Sequence, residues 1–279
     1  MRVVITGASG FLGKHLVSKL RQNQEAGLEI VGVSRQKTIG VLQVSDYGEI
    51  PSGDVLIHLA EENSRSGAEI GGGAELAKSS STIESFIKKK FSKIIYASSA
   101  VLYGDLSITK HSTADSLIAN NAYASLKLAG EQAILATGKG IALRISNLYG
   151  EGMSENNVMN TIVRQAILGN KVVVESLEPI RDFLWIEDAT QAIARLVQDN
   201  SEIGPKRVVN IGSGIGTSIR ELAETALTVA GRSNFDISAR STSTPSCIIL
   251  NIDETIKQLG WSPTVDIHAG LSRLMNHKK

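Results

Sequence analysis

Thr6-Gly7-Ala8-Ser9-Gly10-Phe11-Leu12-Gly13 joins a short apolar run, residues 3–6, to an amphipathic segment at 11–21. A β-branched run that breaks into glycines and then into a helical period predicts a strand, a tight turn and a helix. The glycines are spaced G-x-x-G-x-x-G. Gly7 permits the turn, Gly10 leaves room for a phosphate against the backbone, and Gly13 lets helix and strand pack closely. The helix N-terminus adds unpaired N–H groups and the positive end of a dipole, so the loop suits the pyrophosphate of a dinucleotide. Ser9, Phe11 and Leu12 join the glycines as candidate cofactor contacts, as does Ala60 at the end of a later apolar run.

Outward from this loop, apolar runs at 30–34, 55–60, 94–98 and 141–145 alternate with helix-length stretches such as 74–89 and 123–137. The runs are apolar enough to be covered on both faces, which predicts an α/β, Rossmann-type doubly wound parallel sheet. After Gly150 the alternation loosens into helices at 156–168, 188–198 and 219–230 and strands at 171–174 and 207–211. A smaller mixed C-terminal substrate-binding lobe is expected. The division is residues 1–152 for the dinucleotide-binding domain, with the chain returning to it around 183–212, and 153–182 with 213–279 for the lobe. The glycine run at 71–73 is expected to precede a helix, and the lysines at 88–90 to follow one, where cations favour the dipole.

The 29 Lys+Arg against 28 Asp+Glu give no reason to expect nucleic acid or an anionic membrane as partner. One cysteine, Cys247, allows no internal disulfide and points to a reducing compartment. The run before Gly7 is too short for a secretory-signal core, and none approaches the ~18–20 apolar residues of a membrane span. A cytoplasmic protein is expected. The five histidines have no metal-ligand spacing, so no metal is expected, and His58 reads as a packed strand residue.

Tyr123-Ala124-Ser125-Leu126-Lys127 places a phenol and an ammonium at i and i+4 on one helix face. A free phenol, with pKa ~10, is a poor base at neutral pH, and a nearby ammonium favours its ionised form. Ser98-Ser99-Ala100-Val101-Leu102-Tyr103-Gly104 ends a strand at the sheet's C-terminal edge, where open α/β sheets bind ligands. Roughly 20 residues beyond the glycine loop, NAD-selective sites carry an acid for the ribose 2′-hydroxyl. This chain has Ser34 and Arg35 there, and a guanidinium suits a 2′-phosphate. NADP(H) is therefore preferred, with NAD(H) as the alternative.

Glycine loop, Ser-Ser-Ala-x-x-Tyr-Gly and Tyr-x-x-x-Lys, in this order, resemble the extended short-chain dehydrogenase/reductases, the NAD-dependent epimerase/dehydratase family that modifies nucleotide sugars. The likeness continues through Arg144-Ile145-Ser146-Asn147-Leu148-Tyr149-Gly150, Arg181-Asp182-Phe183, Asn210-Ile211-Gly212 and Leu259-Gly260-Trp261-Ser262-Pro263. The resemblance implies Tyr123 as catalytic acid/base, Lys127 lowering its pKa and holding the nicotinamide ribose, and Ser99 rather than Ser98 as the catalytic hydroxyl. It also implies Asn147 and Arg181 as substrate contacts and a homodimer built from the helices at 74–89 and 123–137. Family dehydratases follow their Thr with Asp-Glu; Ser99-Ala100-Val101 has no such acids. A nucleotide-sugar 4-keto reductase is expected, with a 4-epimerase as the alternative and a non-catalytic dinucleotide-binding regulator as a third reading. The chain departs from the family at Glu61-Glu62, where less acidic residues are usual, and at 240–247, where Arg240 is the nearest residue to an expected phosphate-binding arginine.

Overall fold

The computed structural model describes residues 1–22, 27–61, 65–198, 207–242 and 246–276. The two-faced apolar runs become strands β1 (Arg2–Thr6), β2 (Glu29–Ser34), β3 (Leu42–Gln43), β4 (Val55–His58), β5 (Lys93–Ser99) and β6 (Gly140–Ile145). With β10 (Val208–Ile211) they form a seven-stranded sheet in the order β10-β6-β5-β4-β1-β2-β3, every pair parallel. The reversal beside β1 is the switch point of a doubly wound sheet, where the crevice opens.

Alternation explains the layers. Val3, Ile5, Ile57 and Ile95 pack on one face with Leu16 and Leu20 of α1 (Phe11–Gln22) and Ile193 of α5 (Ile186–Gln198). Val4, Leu56, Ile94 and Tyr96 pack on the other with Ile83 and Phe86 of α2 (Arg65–Ile87) and Ile134 of α3 (Ala122–Leu135). Two apolar faces demand two helical covers, and the strand period of two supplies them.

The glycine run expected before a helix lies inside α2 instead: the helix begins at Arg65 and kinks at Gly72, whose φ of 46° and ψ of −129° are non-helical. Glycine tolerates that conformation without a side-chain clash, so the chain re-enters the helix after one break.

Beyond β6 the chain builds a second core. Strand β7 (Asn147–Tyr149), β9 (Ile180–Trp185), β11 (Gly216–Ser218) and β13 (Cys247–Ile248) form a mixed four-stranded sheet, with β9 the strand to which the others pair. Strands β8 (Lys171–Val174) and β12 (Asp236–Ala239) form a parallel pair. Helices α4 (Val158–Leu168), α6 (Ile219–Val229) and α8 (Ile267–Asn276) contribute Ile162, Leu222 and Leu274 to one apolar cluster with Trp185. Helix α7 (Asp253–Leu259) leads to Trp261, which is buried in the core of the large sheet. No strand was expected at 180–185, yet Asp182 is fully buried there. It accepts from the backbone N–H groups of Ser213, Gly214 and Leu250 at 2.7, 3.0 and 3.2 Å. Among the described residues no helix is long and apolar enough to cross a membrane.

Candidate active site

Strand β5 ends at Ser99 on the sheet's C-terminal edge and passes directly into a 3₁₀ turn, Ala100–Tyr103. Both neighbouring serines line the cleft, with different partners. Ser98 is buried and donates its hydroxyl to Glu131 at 2.6 Å, and Arg144 clamps that same carboxylate. Ser99 lines the cleft, its Oγ accepting the Val101 N–H at 3.3 Å as cap of the turn.

Helix α3 starts where Asn121 accepts the Ala124 N–H, and it presents Tyr123 and Lys127 one turn apart. The Lys127 Nζ lies 5.8 Å from the centre of the Tyr123 ring. One turn further on, a Cβ at Gly130 would come within 2.3 Å of the Tyr96 hydroxyl, so the glycine is what allows α3 to sit so close to β5.

Lys127 is buried, donates to the Ala97 carbonyl at 3.0 Å, and pairs with Glu61 at 3.0 Å. Glu61 also accepts from the Tyr96 hydroxyl and from the Ser79 hydroxyl. Burial opposes a charge on Glu61, yet Lys127 and these neighbours bring its carboxyl below the usual carboxylate range. Burial and the adjacent Glu61 push the Tyr96 phenol well up, so Tyr96 stays protonated. His58 is buried at the end of β4, with Nδ1 2.7 Å from the Thr6 hydroxyl. Burial drives its pKa down to about 4, which keeps the imidazole neutral.

A cleft of about 530 Å³ runs from the glycine loop to the lobe. Gly7, Gly10, Phe11, Leu12 and Gly13 line one end; Ser99, Tyr123 and Lys127 follow, with Asn147 and Arg181 on the lobe side. The loop forms a cradle that side chains would fill. Gly7 has φ +70°, a Cβ there would crowd the Ala60 backbone at 3.0 Å, and a Cβ on Gly13 would lie 2.1 Å from the Gly7 carbonyl oxygen. With the first turn of α1 free of acidic residues, these features fit a dinucleotide pyrophosphate.

Ser9, Ser34, Arg35 and Ala60 lie outside this lining. The Ser34 hydroxyl is 2.6 Å from that of Ser9 and accepts the Gln36 N–H at 3.0 Å. Arg35 is exposed, its guanidinium 5.3 Å from the centre of the Tyr47 ring. Arg181 donates to the Ile180 carbonyl at 2.8 Å, and to the Ser246 carbonyl and hydroxyl at 2.9 and 2.6 Å. Ser246 in turn donates to Asp105 at 2.7 Å. Arg240 is exposed beside β8, away from the cleft lining, while Glu62 and residues 243–245 lie outside the described residues.

Several cleft residues went unread in the sequence, among them Asn157, Met159, Ser146 and Phe183. Ser146 lines the cleft with a buried hydroxyl that has no hydrogen-bond partner among the described residues; its signal was its position beside Asn147 in the same motif. Phe183, on β9, lines the cleft from a strand that the sequence pattern did not reveal. Among the described residues no group of His, Cys, Asp and Glu is arranged to hold a metal ion.

Residues 3–212 match the model of the NAD dependent epimerase/dehydratase family, and the chain belongs to that family. It is similar to a dTDP-4-dehydro-6-deoxyglucose reductase from Escherichia coli, 30% identical over 204 residues, spanning 66% of this chain and 60% of the relative. It is also similar to a putative UDP-glucose 4-epimerase from Methanocaldococcus jannaschii, 25% identical over 99% of this chain and 98% of the relative. The structure of RMD from Pseudomonas aeruginosa complexed with NADPH superposes with a TM-score of 0.84 at 23% identity, covering 99% of this chain and 97% of that one. Reductases and epimerases both stand among the relatives, in a family that binds NAD(P).

The depressed His58 pKa carries a consequence for stability. An unfolded histidine titrates near 6.5, so this residue's contribution is complete above that pH and is lost as pH falls through about 4. Between pH 7 and pH 5, urea unfolding of the wild type should lose about 2 kcal/mol more stability than that of His58→Asn. Parallel losses in the two proteins would remove His58 as the cause.

Proposed function

We propose that this chain is a cytoplasmic, NADP(H)-preferring reductase of the 4-keto group of a nucleotide sugar, with Tyr123 as proton donor. The observation that carries the reading is a single cleft in which the glycine cradle, Ser99 and the Tyr123–Lys127 pair lie together. The nicotinamide cofactor, when bound, supplies the hydride. Gly7, Gly10 and Gly13 with the α1 N-terminus hold its pyrophosphate, and Lys127 its ribose. Ser99 orients the keto oxygen by hydrogen bonding, and Tyr123 gives its proton to that oxygen as the alcohol forms. Asn147 faces the sugar and Arg181 grips the diphosphate. With Ala100 and Val101 after Ser99 instead of acids, the chain has no pair there to drive elimination of water. Its similarity to the E. coli reductase supports the reaction class.

A nucleotide-sugar 4-epimerase is the second reading, favoured by the full-length similarity to the M. jannaschii protein. It uses the same three side chains but keeps its cofactor through turnover. Bound cofactor with no turnover on any keto sugar would favour a non-catalytic regulator instead.

Tyr123→Phe, assayed with NADPH and a nucleoside-diphosphate 4-keto-6-deoxyhexose, should turn over ~10²–10⁴-fold more slowly with cofactor affinity nearly intact. Wild-type turnover in that variant would end the assignment.

Cofactor preference rests on Arg35, which is exposed at the end of β2 with no carboxylate at Ser34 to repel a 2′-phosphate. Fluorescence titration should show Arg35→Ala losing ~1.5–3 kcal/mol of NADPH affinity and almost none for NADH. Equal losses, or tighter NADH binding by the wild type, would reverse the preference and shift the reading to the epimerase.

A homodimer through α2 and α3 completes the reading. Ala68, Leu76 and Leu126 line an apolar groove between these helices, and Ile70 on α2 is 88% exposed. Light scattering at micromolar concentration should give twice the chain mass; a monomer would rule the interface out.

A further inference from the structure

Glu61 has no part in the chemistry proposed above, yet its carboxylate is buried directly under Lys127. The two side chains are 5% and 7% exposed and 3.0 Å apart. A carboxylate removed from water is costly unless it is paired and hydrogen-bonded. This one is fully engaged: besides the Lys127 ammonium, it accepts the hydroxyls of Tyr96 and of Ser79, the latter at 2.5 Å on the other oxygen. Lys127 is thereby pinned between a carboxylate and the Ala97 carbonyl, on a helix that Gly130 brings close to β5.

Other titratable groups face the pair among the described residues. From β4, His58 is buried and neutral; from β5, Tyr96 is locked as a donor. From α3, Glu131 is matched by Arg144 of β6. The ammonium 5.8 Å from the centre of the Tyr123 ring thus carries a carboxylate at contact distance. A lone ammonium draws a neighbouring phenol towards phenolate, and a carboxylate at contact distance from that ammonium opposes the pull.

We propose that Glu61 is a positioning residue that fixes Lys127 and offsets the pull of its charge on Tyr123, the proton donor of the reduction. The inference builds on the reading of Tyr123 as proton donor. It also separates the two reactions. A reductase needs the phenol loaded before each turnover, whereas an epimerase begins by taking a proton.

The test is a titration of the phenol itself, which needs no substrate. Ultraviolet phenolate absorbance is followed with pH in the full-length protein, and each protein's Tyr123→Phe counterpart is subtracted to isolate this residue among five tyrosines. In Glu61→Gln the midpoint should fall by about one pH unit, a roughly tenfold change in proton affinity. Glu61→Asp, which keeps the charge, should stay near the wild type. An unchanged midpoint in Glu61→Gln, or an equal fall in Glu61→Asp, overturns the proposal.

Glu61→Gln removes the carboxylate that pairs with a buried ammonium, so a second comparison covers the case in which it does not fold. Glu61→Gln/Lys127→Met should titrate lower than Lys127→Met, by a similar margin, because the carboxylate's charge is then the sole difference. Equal midpoints there also overturn the proposal. The turnover of Tyr123→Phe reports separately on the proton-donor reading, so the two can fail independently.

Discussion

A Cβ on residue 13 would lie 2.1 Å from the carbonyl oxygen of Gly7 and 2.8 Å from the Cα of Ala8. That contact between the first turn of α1 and the loop before it governs the rest of the site. It draws the helix down onto the end of β1, so its free N–H groups open at the switch point of the sheet. From there the parallel arrangement does the assembly. Every strand of the large sheet ends on the same edge, so Glu61 after β4, Ser99 at the end of β5 and Ser146 after β6 reach one cleft.

How much of this the sequence reveals depends on where the compensation for each residue comes from. β1, β2, β4, β5 and β6 are legible because their apolar runs satisfy both sheet faces by themselves. The loop is legible because glycine spacing is a local property, and so is the Tyr123–Lys127 pair on its helix face. β9 is not legible, since Arg181 and Asp182 in its middle look like a loop. Asp182 is fully buried because three N–H groups from residues 213, 214 and 250 converge on it, and no window around 182 contains them. The α2 kink is hidden for a related reason: a glycine run reads as a break, while the helix on either side is stabilised by packing of Ile83 and Phe86 on the sheet.

Glu61 shows the intermediate case. Its oddity was visible as an acidic residue after an apolar strand, but its partner lies 66 positions further on in α3, and its other donors sit in α2 and β5. Ser98 is similar: it reads as a hydroxyl at the strand's end, and only the fold shows that it donates to Glu131, which Arg144 clamps. In both places the residue type was readable and the pairing was not.

The convergence on Asp182 also bears on how this chain can be re-engineered. Loops 213–214 and 250 belong to segments far apart in sequence, and one carboxylate staples both to β9 beside Arg181 and Phe183. Surface loops invite exchange one at a time, as independent cassettes. Here they form a single transplantable unit, because a graft that brings a new loop without its amide donors strands a buried anion at the centre of the lobe.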